Sequence, residues 1–176
     1  RFARRQLLDL LHRAGEPATA ILLEQLHRDA PWYVLRTIIR LLGEVGGPEH
    51  FAAVRPFLAH PDLRVQQEVL TTARRIGGTQ TGDFLLEALQ SVPDALTTTV
   101  VQHAAEVHDE RFVRPLTDLL ERPRHCLGKN GDDLQLAICR TLGAIGSTQA
   151  TATLGRVAAS RTVPGLEGTA EAVRQA

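Results

Sequence analysis

Apolar residues recur along this chain at spacings of three, four and seven positions, which is the pattern of helices that each bury one face. These apolar stretches end at closing residues that stand a fixed distance apart. Gly15, Gly46 and Gly77 are separated by 31 residues each (46 − 15 and 77 − 46), and a further 31 residues lead to His108. From there to Gly146 the distance is 38 residues (146 − 108), which is the same period with a seven-residue insertion. A constant period of this length indicates a stack of structural repeats.

Each period contains two apolar stretches, so each repeat is predicted to be a helix, a tight turn and a second helix. The first helices are expected near 16–29, 48–59, 80–91, 110–122 and 148–160. The second helices are expected near 32–45, 62–76, 94–107, 133–145 and 167–176, after a lone second helix over 1–14. The second helices are predicted to bury Ile38, Ile39, Leu42, Val69, Leu70, Ala73, Val100, Val101, Ala104, Ile138, Cys139 and Leu142.

Glycine and acidic residues are expected to mark the helix ends. Gly46 and Gly77 are predicted to close their helices in the left-handed conformation, which a residue with a Cβ adopts at greater cost. Asp62 and Asp94 are predicted to begin the helices that follow, because an acidic side chain is favoured near a helix N-terminus.

The stretch PDLRVQQEVLTTARRIGG over residues 61–78 resembles the second helix of a HEAT repeat of the short bacterial type. The resemblance covers essentially the whole chain and implies an all-α fold, a right-handed α-solenoid of stacked antiparallel helix pairs. We expect one domain over 1–176 with about five and a half repeats. Both ends look cut, because neither carries a polar capping repeat, so the chain is expected to be a fragment of a longer array. HEAT arrays mostly bind protein partners on a concave face that the second helices line.

Composition narrows the class of protein further. Aromatic residues make up 4% of the chain, so the core must be aliphatic, which favours helix packing over a β-sandwich. No apolar run approaches the ~20 residues that span a bilayer. The formal net charge is zero, which gives no bulk attraction to nucleic acid or to an anionic membrane. Two cysteines, Cys126 and Cys139, form no disulfide framework, and no signal-peptide pattern is present, so we expect a cytoplasmic protein.

The exposed positions of the second helices are the candidate binding residues, and arginine is frequent among them. Contact with a protein partner is predicted for Arg36, Arg40, Gln67, Thr71, Arg74, Arg75, Gln102 and Arg140. Arg36 and Arg40 lie one helical turn apart, and paired guanidinium groups suit an anion or an acidic segment of a partner. The alternative is that Glu44 and Glu68 neutralise this cluster and that nothing binds there.

Two further features concern charge. Two positions before each closing residue the charge alternates from Arg13 to Glu44, Arg75 and Glu106, which predicts ion pairs between neighbouring repeats. The inserted loop over 122–132 is the second candidate contact, because loops added to a rigid scaffold often carry function. Its candidate residues are Arg122, Arg124, His125 and Lys129. The alternative is a tolerated surface insertion, since lengthening a loop costs little.

Catalytic and metal chemistry find little support in the sequence. No pair of cysteines or histidines has the spacing of a zinc site, no phosphate-binding glycine loop is present, and no cofactor is predicted. The alternative to a scaffold is a nucleic-acid-binding protein similar to the HEAT-like DNA glycosylases, with Asp29 and Trp32 as the nearest carboxylate and aromatic pair. The apolar faces of the terminal helices, if uncapped, predict end-to-end self-association.

Overall fold

The computed structural model of the protein describes residues 6, 10–11, 13–121 and 129–159. All regular elements within these residues are helical, and none of them is a strand. The chain divides into two compact units, Arg1–Phe84 and Leu85–Ala176, which are described separately below. No helix in the described part of the chain has the length and apolar character needed to cross a membrane.

The helices follow one another through short turns. The α-helices are α1 Glu16–Glu24, α2 Trp32–Val45, α3 Phe51–Val54, α4 Leu63–Ile76, α5 Thr81–Ser91, α6 Asp94–Val107, α7 Val113–Glu121, α8 Lys129–Ile145 and α9 Thr148–Ala159. Short 3₁₀ segments flank α3 at Pro48–His50 and Arg55–Ala59, and others precede α5 at Gly78–Gln80 and α7 at Glu110–Phe112. The helix predicted over 167–176 and most of the one predicted over 1–14 lie outside the described residues.

The predicted second helices agree with α2, α4 and α6 to within one residue. The first helices are less regular than predicted. The helix expected over 16–29 ends at Glu24, and residues 25–31 form turns. The segment 48–59 is one helical turn between two 3₁₀ segments, because Pro56 has no backbone N–H to donate to the preceding turn.

The core of the first unit lies between α2 and α4. Leu35, Ile39 and Leu42 of α2 and Val69 and Leu70 of α4 are fully buried, which confirms the predicted apolar face. Two aromatic rings complete this core, Phe51 and Phe84, which pack edge to face with their ring centres 5.1 Å apart.

A buried hydrogen bond joins the two helices of this core. The hydroxyl of Thr72 donates to the carbonyl oxygen of Ile39 at 3.2 Å. A Cβ atom at Gly43 would lie 2.9 Å from the same hydroxyl oxygen, so glycine at this position permits the close approach of α4 to α2.

The core of the second unit lies between α6 and α8. Val100 and Val101 of α6 and Ile138 and Leu142 of α8 are buried as predicted. The hydroxyl of Thr141 donates to the carbonyl oxygen of Val101 at 3.0 Å, which repeats the bond seen in the first unit.

The prediction of left-handed closing glycines is wrong at Gly46 and Gly77, whose φ angles are −86° and −68°. Glycine is required there by space, because a Cβ would collide with the carbonyl oxygen of Leu42 or of Ala73. Positive φ angles occur instead at three other closing residues, Gly15, His108 and Gly146, with values of 57°, 54° and 66°, and at Gly78 with 54°.

The inserted segment is shorter as a loop than predicted. Helix α8 begins at Lys129, so the last four residues of the predicted loop 122–132 are helical. The candidate contacts Arg122, Arg124 and His125 lie outside the described residues.

Candidate binding groove

An open groove of about 300 Å³ lies on the first unit, along the outer faces of α2 and α4. It is lined by Arg36, Arg40, Glu44, Arg64, Gln67, Glu68, Thr71 and Arg75. Every lining residue is polar, so recognition in this groove depends on charge and hydrogen bonding.

Helical periodicity places these side chains in two facing rows. Arg36, Arg40 and Glu44 stand four positions apart on α2, so they project from successive turns of one face. Leu35 and Ile39, on a neighbouring face of α2, are fully buried. The position of the arginine row therefore follows from the packing of the core.

Glu68 of α4 lies between the two arginines of α2. One carboxylate oxygen accepts a hydrogen bond from Nε of Arg36 at 3.1 Å, and the other lies 3.6 Å from Nε of Arg40. The Glu68 side chain is 11% exposed, whereas those of Arg36 and Arg40 are 42% and 33% exposed. The carboxylate thus lies beneath the guanidinium groups, which remain open to the groove.

A second ion pair, between Arg75 and Glu44, also lines the groove. Nη1 of Arg75 donates to the carboxylate of Glu44 at 2.7 Å. This contact confirms the predicted ion pair between neighbouring repeats at this position. It also confirms the pairing part of the alternative in which Glu44 and Glu68 neutralise the arginines. Four arginines and two glutamates line the groove, and Arg64 is paired with Asp62 just outside the lining, so one positive charge remains in excess.

Arg64 is the lining arginine that the sequence analysis missed. Its guanidinium carbon lies 3.3 Å from the ring centre of Trp32, and its Nη2 donates to Asp62 at 2.7 Å. Asp62 also accepts from the backbone N–H of Arg64 at 2.9 Å, which confirms its predicted role at the start of α4. The hydrogen bonds from Arg64 lower the pKa of Asp62 from 3.8 to about 2. The Asp-x-Arg sequence at a helix start is the signal that predicts this pairing of Asp62 with Arg64.

The other predicted contact residues lie elsewhere. Arg74 is exposed on α4 but does not line the groove. Gln102 of α6 and Arg140 of α8 are exposed on the second unit. The structure therefore brings together five of the eight predicted residues, namely Arg36, Arg40, Gln67, Thr71 and Arg75.

One cluster of possible metal ligands occurs in the described part of the chain, although no metal site was predicted. Ligand atoms of Glu16, Glu49 and His50 lie within 4.8 Å of one another. His50 is buried, and its Nδ1 lies 3.0 Å from the backbone nitrogen of Gly47 and 2.9 Å from Glu49. These contacts account for the histidine as the cap of the Pro48–His50 turn.

The thiol of Cys139 offers no reactive group. The residue is buried among the apolar side chains of α8, and burial raises the pKa of its thiol to about 11. A buried thiol that stays protonated is a weak nucleophile, because the thiolate is the reactive form. Cys126 lies outside the described residues.

The profile of HEAT repeats matches residues 19–106, which is half of the chain and includes the whole of the groove. None of the curated proteins compared with the chain matches it.

Proposed function

This chain belongs to the HEAT-repeat family, and we propose on that basis that it is a non-enzymatic scaffold whose groove binds an acidic segment of a protein partner. HEAT repeats generally serve as protein-interaction scaffolds, and the family is typically non-catalytic. The groove on α2 and α4 is the candidate contact surface within the first unit.

The observation that carries the proposal is the excess of arginine in a groove whose lining residues are all polar. Each guanidinium has five N–H donors, and the contact of Arg36 with Glu68 uses the one on Nε. The remaining donors of Arg36 and Arg40 suit carboxylate oxygens, because planar guanidinium groups bind carboxylates in pairs of parallel hydrogen bonds.

The carboxylates in the groove favour protein over nucleic acid. Affinity for a nucleic-acid backbone comes from many cationic contacts to phosphates. Glu44 and Glu68 would repel the phosphates that approach the same arginines. A short acidic peptide segment needs fewer contacts than a phosphate backbone, so it can bind where only part of the groove is positive.

The test is a charge reversal in the groove, Arg36→Glu with Arg40→Glu, read by fluorescence anisotropy. The probe is a fluorescein-labelled Gly-Ser peptide that carries four adjacent glutamates. Charge-assisted hydrogen bonds contribute about 1.5–3 kcal/mol each, so the double variant should weaken binding by roughly tenfold or more. Binding to the unaltered protein should also weaken as salt screens the charges.

The matched control is Arg28→Glu with Arg114→Glu, which changes the net charge by the same amount at two exposed positions outside the groove. This control should bind the peptide within about twofold of the unaltered protein, because neither arginine lines the groove and salt screens exposed charges. Equal losses in both double variants would show that only net charge matters. A duplex DNA that binds more tightly than the peptide would favour the nucleic-acid alternative.

A further inference from the structure

We propose that Glu68 is an internal competitor for the partner's carboxylates and that it sets how many acidic side chains a segment must carry to bind. This inference rests on the function proposed above. It concerns the arginine pair of α2 and the carboxylate that the neighbouring helix places between them.

The geometry at Glu68 is that of a bound anion. Its two oxygens face two different guanidinium groups, at 3.1 Å from Nε of Arg36 and 3.6 Å from Nε of Arg40. A carboxylate from outside would use the same donors in the same way. Glu68 is supplied by the chain itself and is only 11% exposed, so it occupies the Nε donor of Arg36 and lies within ion-pair distance of Arg40 without the entropic cost of association.

The consequence is a threshold for binding. Arg36, Arg40 and Glu68 together carry one positive charge, so a single carboxylate from a partner is attracted more weakly than by two free arginines. It can bind only the guanidinium N–H groups that Glu68 does not contact. A segment with two or more adjacent acidic side chains can engage both arginines from the outside at once. Adjacent acidic groups are therefore favoured well beyond the gain from one added charge.

The other ion pair in the groove provides an internal reference. Glu44 accepts a hydrogen bond from Nη1 of Arg75 at 2.7 Å. Removing the charge of Glu44 changes the net charge of the groove as much as removing that of Glu68. It leaves the contacts of Arg36 and Arg40 with Glu68 in place.

The experiment measures anisotropy for Glu68→Gln and Glu44→Gln with three labelled Gly-Ser peptides of equal length, which carry one, two or four adjacent glutamates. Exposed and half-exposed ion pairs are worth up to ~1 kcal/mol, so Glu68→Gln should bind about twofold to fivefold more tightly. The gain should be largest for the peptide with one glutamate. Glu44→Gln should give a smaller gain that is similar for all three peptides.

A double-mutant cycle then assigns the effect to the arginine pair. In a background of Arg36→Gln with Arg40→Gln, the gain from Glu68→Gln should disappear, whereas the gain from Glu44→Gln should remain. Glu68→Ala should act in the same direction as Glu68→Gln. Thermal denaturation of each variant checks that the helices are intact.

The outcomes separate the two proposals. If neither the unaltered protein nor Glu68→Gln binds any of the peptides, the proposed function is overturned. If the unaltered protein binds and Glu68→Gln binds no more tightly, the competitor role is overturned and the groove stands. Equal gains from both glutamine variants would also overturn it, because long-range charge would then explain the effect.

Discussion

The two pairs of second helices share an internal arrangement and differ on their outer faces. In the first unit the hydroxyl of Thr72 on α4 donates to the carbonyl of Ile39 on α2. In the second unit Thr141 on α8 donates to Val101 on α6. Both threonines stand five positions before their closing residue, and both acceptors stand seven before theirs.

The outer faces of the same helices carry different groups. Counted back from the closing residues, the positions of Arg36, Arg40, Glu68 and Arg75 in the first unit correspond in the second unit to Thr98, Gln102, Ala137 and Ala144. Of the other lining positions, that of Thr71 gains a charge there as Arg140, that of Glu44 keeps its charge as Glu106, and that of Arg64 reverses its charge as Asp133. Packing dictates the inner positions, whereas the outer positions vary between repeats, so the candidate site lies where the outer face is exceptional.

The largest expected effect concerns what the two pairs have in common. Leu42 and Leu142 each stand four positions before a closing residue and are fully buried. Each change to Ala should lower the free energy of unfolding by about 2–5 kcal/mol, because it removes buried methyl groups and leaves a cavity. Urea titration measures the loss.

Two exposed glutamines are the matched controls for these leucines. Gln67→Ala and Gln102→Ala should change the free energy of unfolding by no more than ~0.5 kcal/mol. A large loss in one unit and none in the other would show that the repeat positions of the two helix pairs do not correspond.

A smaller effect is expected at the two threonines. Thr72→Val and Thr141→Val keep the shape of the side chain and remove the buried hydrogen bond to the preceding second helix. Each should lower the free energy of unfolding by about 1 kcal/mol. The control is Thr71→Val, whose hydroxyl bonds within its own helix at the surface and should matter less.

A difference between the losses of unfolding free energy in Thr72→Val and Thr141→Val would show which hydrogen bond stabilises each unit. Thr141 also donates to the carbonyl of Ala137 at 2.8 Å. If Thr141→Val costs much more than Thr72→Val, the bond within α8 carries the energy, and the shared bond between helices is of lesser importance. Equal costs support the shared bond as the common device.

The fold could be predicted from the sequence because its determinants are local and periodic. The apolar positions of α2, α4 and α6 recur at helical spacing, and their burial follows from that spacing alone. The conformation of Gly46 and Gly77 could not be predicted in this way. A Cβ at Gly46 would meet the carbonyl oxygen of Leu42 and the ring of His50, and one at Gly77 would meet the carbonyl oxygen of Ala73 and the hydroxyl of Thr81. Only the folded turn brings these atoms close.

The groove could be predicted only in part for a similar reason. Arg36, Arg40 and Arg75 were found because exposed positions follow from the helical period. The contact between Glu68 and two arginines, and the stacking of Arg64 on Trp32, join residues about 32 positions apart. Such contacts depend on the distance and offset between helices and on side-chain rotamers, none of which the period specifies.

The acidic caps of the two units allow a comparison by pH. Asp62 in the first unit and Asp109 in the second each accept hydrogen bonds from the arginine two residues later in the chain, Arg64 and Arg111. Hydrogen bonds from Arg64 lower the pKa of Asp62 to about 2, and those from Arg111 lower the pKa of Asp109. Because the pKa is lower in the folded state, the stabilising contribution is present above the ordinary value of 3.8. It is lost as the pH falls towards the folded-state value.

The measurement is an NMR titration of the side-chain carboxyl carbons. Asp62 should titrate near pH 2, and Arg64→Gln should move its midpoint back towards 3.8. Arg111→Gln should raise the midpoint of Asp109 in the same way. The stability deficit of Asp62→Asn should be present at neutral pH and should shrink as the pH is lowered below 3.8. If the midpoint of Asp62 were unchanged in Arg64→Gln, the hydrogen bonds from Arg64 would not be the cause of the lowered pKa.

The smallest expected effect is on the outer face of the second unit, and it tests whether the difference between the units is functional. Gln102 and Arg140 are exposed and were predicted as contacts, but they do not line the groove. Gln102→Glu with Arg140→Glu should leave the affinity for the peptide with four glutamates within about twofold, because neither side chain lines the groove. Arg36→Glu combined with Arg40→Gln changes the net charge by the same amount within the groove. This variant should weaken binding severalfold. A loss at Gln102 and Arg140 equal to the loss in the groove would extend the binding surface to the second unit, and the contrast between the two outer faces would then have no functional meaning.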